Sequence, residues 1–204
     1  MWHWALRHRL LNITQVSSYL RPLIEARLGK SVSVSSITMS LSRLQRSTRV
    51  VRKKEPEDQF SLGSLLVTSD LALLCYSNAP QVAREVHQAF GIIQKRGRFC
   101  IMTHGVNQVT IMTDRREVKS LMARVSEKPL WKDVTISAIG VSFRREYASS
   151  PGFLATVFQV LYLQGINIVE IASTSTELLL FLRDGDVRLA FDSLYNHFVA
   201  QRKV

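Results

Sequence analysis

Val134, Ile136 and Ala138 alternate with Thr135 and Ser137, the period of a half-buried strand. A polar loop, Ser142–Ser150, follows and is closed by Pro151 and Gly152. Phe153, Val157, Val160, Leu161 and Leu163 then recur at helical spacing, and Gly165 is placed to stop that helix. Pro151 suits a first helical turn, where the missing N–H has no intrahelical partner to lose. Asn167 turns the chain into a strand over Ile168–Ala172, and a Ser/Thr turn leads into a second over Leu178–Leu182. Val187, Ala190, Phe191, Leu194 and Phe198 predict a closing helix.

The region upstream has the same order. Ser64–Val67 and Leu71–Tyr76 read as strands, and Ala79-Pro80 opens a helix with Val82, Val86, Phe90 and Ile93 on one side. Phe99–Thr103 and Gln108–Thr113 are strands around a turn at His104–Asn107, and Asp114 is expected to cap a helix over Arg115–Val125. Pro151 follows Pro80 by 71 positions, while Ile171-Ala172-Ser173 and Asp184 follow Ile101-Met102-Thr103 and Asp114 by 70. A near-constant offset predicts two copies of one module.

The amino-terminal part differs in kind. Helical spacing predicts a short helix over Trp2–Leu11 and, after an Asn12 cap, a helix Ile13–Leu20. Pro22 is expected to separate that helix from a further turn, Leu23–Leu28, ended by Gly29. A last helix, Ser33–Arg46, carries Ile37, Leu41 and Leu44 as its apolar stripe and Thr38, Ser42, Arg43, Gln45 and Arg46 opposite. Charge changes the picture here. Residues 1–54 hold eleven Lys and Arg against Glu25 alone, which is +10 of the net +11 of the chain. Such asymmetry points to a polyanion, nucleic acid before an anionic membrane surface. The arrangement resembles a winged helix-turn-helix bundle. That resemblance implies a recognition helix with Ser35, Thr38, Ser42, Arg43 and Arg46 toward DNA, helped by Arg49, Arg52, Lys53 and Lys54.

The repeated part resembles the ACT domain, and specifically the regulatory region of aspartokinases. The residues that carry the likeness are Pro151–Phe158, Gly165-Ile166-Asn167-Ile168, Ser173–Glu177 and Ala190 through Phe198. The resemblance implies an α+β fold with two ferredoxin-like βαββαβ modules packed as a pair, each sheet completed by the other. Leu65–Thr68 is expected to fill the last strand position of the second sheet, which an open edge would otherwise leave prone to aggregation. The resemblance further implies an amino-acid effector held by Ser149, Ser150, Pro151, Gly152, Phe153 and Leu154 at a helix start, by Asn167 and Ile168, and by Ser173, Thr174, Ser175 and Glu177. Free N–H groups at the helix start suit a carboxylate, and Glu177 suits an ammonium.

The domain reading is thus 1–54 basic bundle, 55–63 polar linker, 64–128 first module and 129–204 second module. Catalytic chemistry finds no support: no glycine-rich phosphate loop precedes a lysine, no paired-histidine metal motif occurs, and His3, His8, His87, His104 and His197 are scattered. No cofactor and no metal are expected. Cys75 and Cys100 lie in apolar strand patterns, consistent with reduced thiols in a cytoplasm. No apolar run has the length of a membrane span, and Met1–Trp4 shows no signal-peptide core. The expectation is a non-catalytic, homodimeric, DNA-binding regulator that senses an amino acid. The alternative is a regulatory subunit docked on an amino-acid biosynthetic enzyme.

Overall fold

The computed structural model describes residues 5–6, 9–47 and 60–199. The chain divides into two compact units, Met1–Gln59 and Phe60–Val204.

In the first unit, α1 (Ile13–Leu28) is followed by α2 (Val34–Ser47). Asn12 caps α1 by accepting from the N–H groups of Thr14 and Gln15, and Gly29 ends it in the left-handed region at φ 66°. Pro22 lies inside this single helix and does not divide it, contrary to the sequence expectation. Both ends are capped and Val16 and Ser17 are buried, which together offset the lost hydrogen bond. Of the short helix expected over Trp2–Leu11, Ala5 and Leu6 are helical, Arg9–Leu11 are not, Arg9 taking φ 57°, and the rest lies outside the described residues. Among the described residues of this unit there is no strand, so no wing is seen.

The second unit is one antiparallel sheet of six strands in the order β2-β3-β1-β4-β6-β5. Its elements in chain order are β1 (Leu62–Ser77), α3 (Pro80–Lys95), β2 (Cys100–His104), β3 (Gln108–Asp114), a short α4 (Val118–Met122), β4 (Trp131–Phe143), α5 (Phe153–Leu163), β5 (Glu170–Ser173), β6 (Glu177–Arg183) and α6 (Val187–Phe198). Leu62 and Gly63, assigned above to a linker, are therefore the first residues of β1. The helix expected over Arg115–Val125 is only a helical turn and α4, and Asp114 caps nothing with its side chain.

β1 and β4 are long because each serves both halves. Leu71–Ser77 of β1 pairs with β3, while Leu65–Thr68 pairs with Val141–Ala138 of β4 beside β6. Trp131–Asp133 of β4 in turn lies against Cys75–Leu73 of β1. Each half thus takes its fourth strand from the other, and Leu65–Thr68 occupies the place expected of it. The two strand segments read from the sequence are one strand, with an irregularity between Thr68 and Leu71 where Asp70 takes φ 61°. A bulge bends a strand and sharpens its twist.

The sheet folds on itself about this point. Leu71, Leu73, Cys75, Met112, Ile136, Ala138 and Phe181 form one core between its two halves. Phe99 and Phe181 meet edge to face at 6.4 Å although four places separate β2 from β6 in the sheet. Outside, α3 and α4 cover the first half with Val82, Val86, Ile93 and Leu121, and α5 and α6 cover the second with Phe153, Val157, Leu161, Ala190, Leu194 and Phe198. Each large apolar side chain so buried contributes about 1.5–3 kcal/mol.

Candidate functional site

The two halves differ most where the first strand hands over to the first helix. In the first half that link is Asn78 and Ala79, with Pro80 opening α3. The Asn78 Nδ2 donates to the carbonyls of Gly105 and Val106 at 3.1 and 3.0 Å, and its N–H donates to Asn107 O at 3.0 Å. The β2–β3 turn is thereby tied down onto the helix start.

In the second half the link is the longer stretch Arg144–Gly152, with a 3₁₀ turn over Arg145–Ser149. Pro151 and Gly152 form a turn before α5 rather than its first turn, and Gly152 stands at φ 96°, a region that favours glycine. Among the described residues no side chain caps α5; the Phe153 N–H donates to Ser150 O at 3.4 Å, which leaves the N–H groups of Leu154 and Ala155 for a ligand. Beside them is a cavity of about 240 Å³ lined by Phe143, Tyr147, Ala148, Ser150, Gly152, Phe153, Leu154, Ala155, Ser173 and Thr174. Its aromatic wall is fixed. Phe153 lies 4.7 Å from Phe143, 5.3 Å from Phe60 and 5.6 Å from Tyr147 between ring centroids, and the Tyr147 hydroxyl is 3.2 Å from Ser61 Oγ.

Of the residues expected around an effector, Ser150, Gly152, Phe153, Leu154, Ser173 and Thr174 are brought together at this cavity, and Ser149, Pro151, Asn167, Ile168, Ser175 and Glu177 are outside its lining. Asn167 and Ile168 follow the far end of α5, about 16 Å from its start at 1.5 Å per residue. Ile168 packs instead on the core beneath α5 and α6. Glu177 opens β6 opposite Ser142, and its Oε1 lies over Gly140, 3.7 Å from where a Cβ would stand. Phe143, Tyr147, Ala148 and Ala155 also line the cavity and are not in the effector set expected from the sequence. The aromatic Tyr147 directly after the charged run Arg144-Arg145-Glu146 is the one signal that this loop packs inward.

A larger cleft, about 580 Å³, lies where β1 and β4 bend, lined in part by Val67, Asp70, Arg115, Asp184 and Phe191. Its charges already satisfy one another. Arg115 pairs with Asp70 at 3.1 Å and with Asp184 at 3.3 Å, and Ser137 donates to Asp184 at 2.7 Å. This cluster ties the two halves together, and the smaller cavity is the better ligand candidate.

In the basic unit, Ser35, Arg43 and Arg46 are exposed on α2 and Ser42 is half-buried. Thr38 is turned the other way, its hydroxyl donating to Val34 O at 2.8 Å and lying 2.9 Å from Ser17 Oγ, a contact that seats α2 on α1. Gln45 likewise leaves the outer face, donating to Leu6 O at 2.6 Å. Arg49, Arg52, Lys53 and Lys54 lie outside the described residues. Among the described residues no group of three or more metal-ligating side chains converges, and no helix is long and apolar enough to cross a membrane.

No protein-family model and no curated protein matches this chain. Solved structures do match the fold. The ligand-free regulatory subunit of aspartate kinase from Thermus thermophilus is 18% identical, with a TM-score of 0.55 over 68% of this chain and 98% of that one. Aspartate kinase of Clostridium acetobutylicum is 14% identical, with a TM-score of 0.55 over 68% of this chain and 35% of its own. Aspartokinase III of E. coli, solved with lysine and aspartate, is 18% identical, with a TM-score of 0.52 over 74% and 35%. The α+β fold of the sheet unit is therefore that of aspartate kinase regulatory regions.

Proposed function

We propose that this chain is a non-catalytic, ligand-responsive regulator in which two ACT-type modules, 64–128 and 129–204, form a sensor and the basic residues 1–54 bind DNA. The observation that carries the reading is the contrast between the halves: one strand-to-helix link is short and held by Asn78 to the β2–β3 turn, and the other is longer and opens onto a cavity beside the start of α5. An uncapped helix start favours a carboxylate, and the volume suits a ligand smaller than drug-sized. Among the described residues no ionised side chain lines the cavity, which favours an amino acid with an uncharged side chain as the effector. A lysine-bound aspartokinase with this fold supports amino acids as the ligand class. The chain works as a homodimer through the sheet units, and the effector alters how two basic units meet successive half-sites on DNA. A regulatory subunit for a biosynthetic enzyme is the second reading, favoured by the near-complete coverage of the separate Thermus thermophilus regulatory subunit.

The test is a thermal shift of the full chain against the twenty amino acids, singly. A ligand that binds only the folded state raises the melting temperature by mass action. An uncharged amino acid is expected to raise it, and Ala155→Trp, which fills the cavity, is expected to remove the response. A shift that survives Ala155→Trp, or one given by lysine or aspartate alone, contradicts the site.

A further inference from the structure

We propose that His87 and His104 form a binding site for a divalent transition-metal ion on the first half of the sheet unit, separate from the effector cavity. His87 is on α3 and His104 ends β2; both are exposed, and their ring centroids lie 5.3 Å apart with planes inclined at 50°.

Each ring has one nitrogen committed. His87 Nδ1 stands 2.7 Å from the carbonyl of Ala83. A carbonyl only accepts, so Nδ1 carries a proton and, in the neutral ring, Nε2 keeps its lone pair. For His104 the argument passes through Asn78. The Nδ2 of that amide donates to two carbonyls, those of Gly105 and Val106, which fixes its orientation and leaves Oδ1 as the acceptor. His104 Nε2 lies 2.7 Å from Asn78 Oδ1 and must donate to it, so Nδ1 keeps its lone pair.

Two neutral imidazoles, each anchored through the opposite nitrogen to an oxygen, are the state in which histidine binds metals. The spacing also fits. With metal–nitrogen bonds of about 2.1 Å, two imidazoles on one tetrahedral ion hold their centroids about 5 Å apart. Imidazole suits Zn²⁺, Cu²⁺ and Ni²⁺, and water completes the coordination at an exposed site. Since no third ligating side chain converges among the described residues, the binding is that of an exchangeable ion rather than of a structural one. The offset of 70 that relates the halves puts Thr174 at the place of His104, so the second half lacks the pair.

The test uses the full chain without a histidine tag, freed of metal by dialysis against a chelator and titrated calorimetrically with ZnCl₂. About one ion per chain is expected, with affinity lowered about tenfold or more in H87Q and in H104Q and unchanged in the H3Q/H8Q control. Nitrogen-15 spectra of the histidine rings supply a readout independent of the variants: His87 Nε2 and His104 Nδ1 should be the unprotonated nitrogens and should shift with Zn²⁺. Zn²⁺ affinity unchanged in the H87Q/H104Q double variant, no uptake by the wild-type chain beyond that of this variant, or the opposite tautomers would each overturn the proposal.

Discussion

Tyr76 shows how a single residue can be at odds with its setting. Its ring is fully buried between the first half of the sheet and its helices, and its hydroxyl has no hydrogen-bond partner among the described residues. Burial pushes its pKa up to about 12. A buried hydroxyl without a partner loses its hydration for nothing, at roughly 1–3 kcal/mol. Tyr76→Phe keeps the ring and removes the orphan, so it is expected to raise stability by about 1 kcal/mol in urea denaturation, with the slope unchanged. A loss of stability would mean that the hydroxyl has a partner. At this scale the sequence revealed little. It could not tell that Thr38 and Gln45 turn inward, because helical spacing places both near the boundary of the apolar stripe. Nor could it bring His87 to His104, whose approach depends on how the end of β2 packs beside α3.

At the scale of elements, periodicity was a good guide where one face alone is wet. α3, α5 and α6 lie close to where their apolar spacing put them, and Ile101–Thr103 and Ile171–Ser173 occupy corresponding strands. It failed where a local breaker was overruled. The sequence reads as two strands, Ser64–Val67 and Leu71–Tyr76, yet β1 runs through both because β4 pairs on either side of the irregularity. Pro22 seemed to end a helix, yet α1 continues. The proline still removes one hydrogen bond from the helix interior. Pro22→Ala should therefore stabilise the amino-terminal unit by roughly 1–3 kcal/mol, read as a higher melting temperature of its helical signal. An unchanged or lower melting temperature would show that the ring itself packs usefully.

For the whole molecule, the repeat at an offset of 70 foretold two similar halves, and their exchange of fourth strands explains why they form one sheet. The inequality of the halves was harder to read. It follows from the length of one loop and the side chain of Asn78, neither of which changes the hydrophobic pattern. The charge asymmetry belongs to this scale as well. If the basic unit binds DNA, affinity must fall steeply with salt, because neutralised phosphates release counterions. Arg43→Ala and Arg46→Ala should each weaken binding and flatten that slope by about one unit, while the amino-acid response stays intact. Equal affinity in both variants, measured by fluorescence anisotropy across a salt series, would favour the docked regulatory subunit instead. The central claim, one effector site per chain at the start of α5, is tested most directly by calorimetric titration of the uncharged amino acid that gives the largest thermal shift. The account predicts about one ligand per chain, with binding abolished by Ala155→Trp. Two ligands per chain, or binding undiminished by Ala155→Trp, would contradict it.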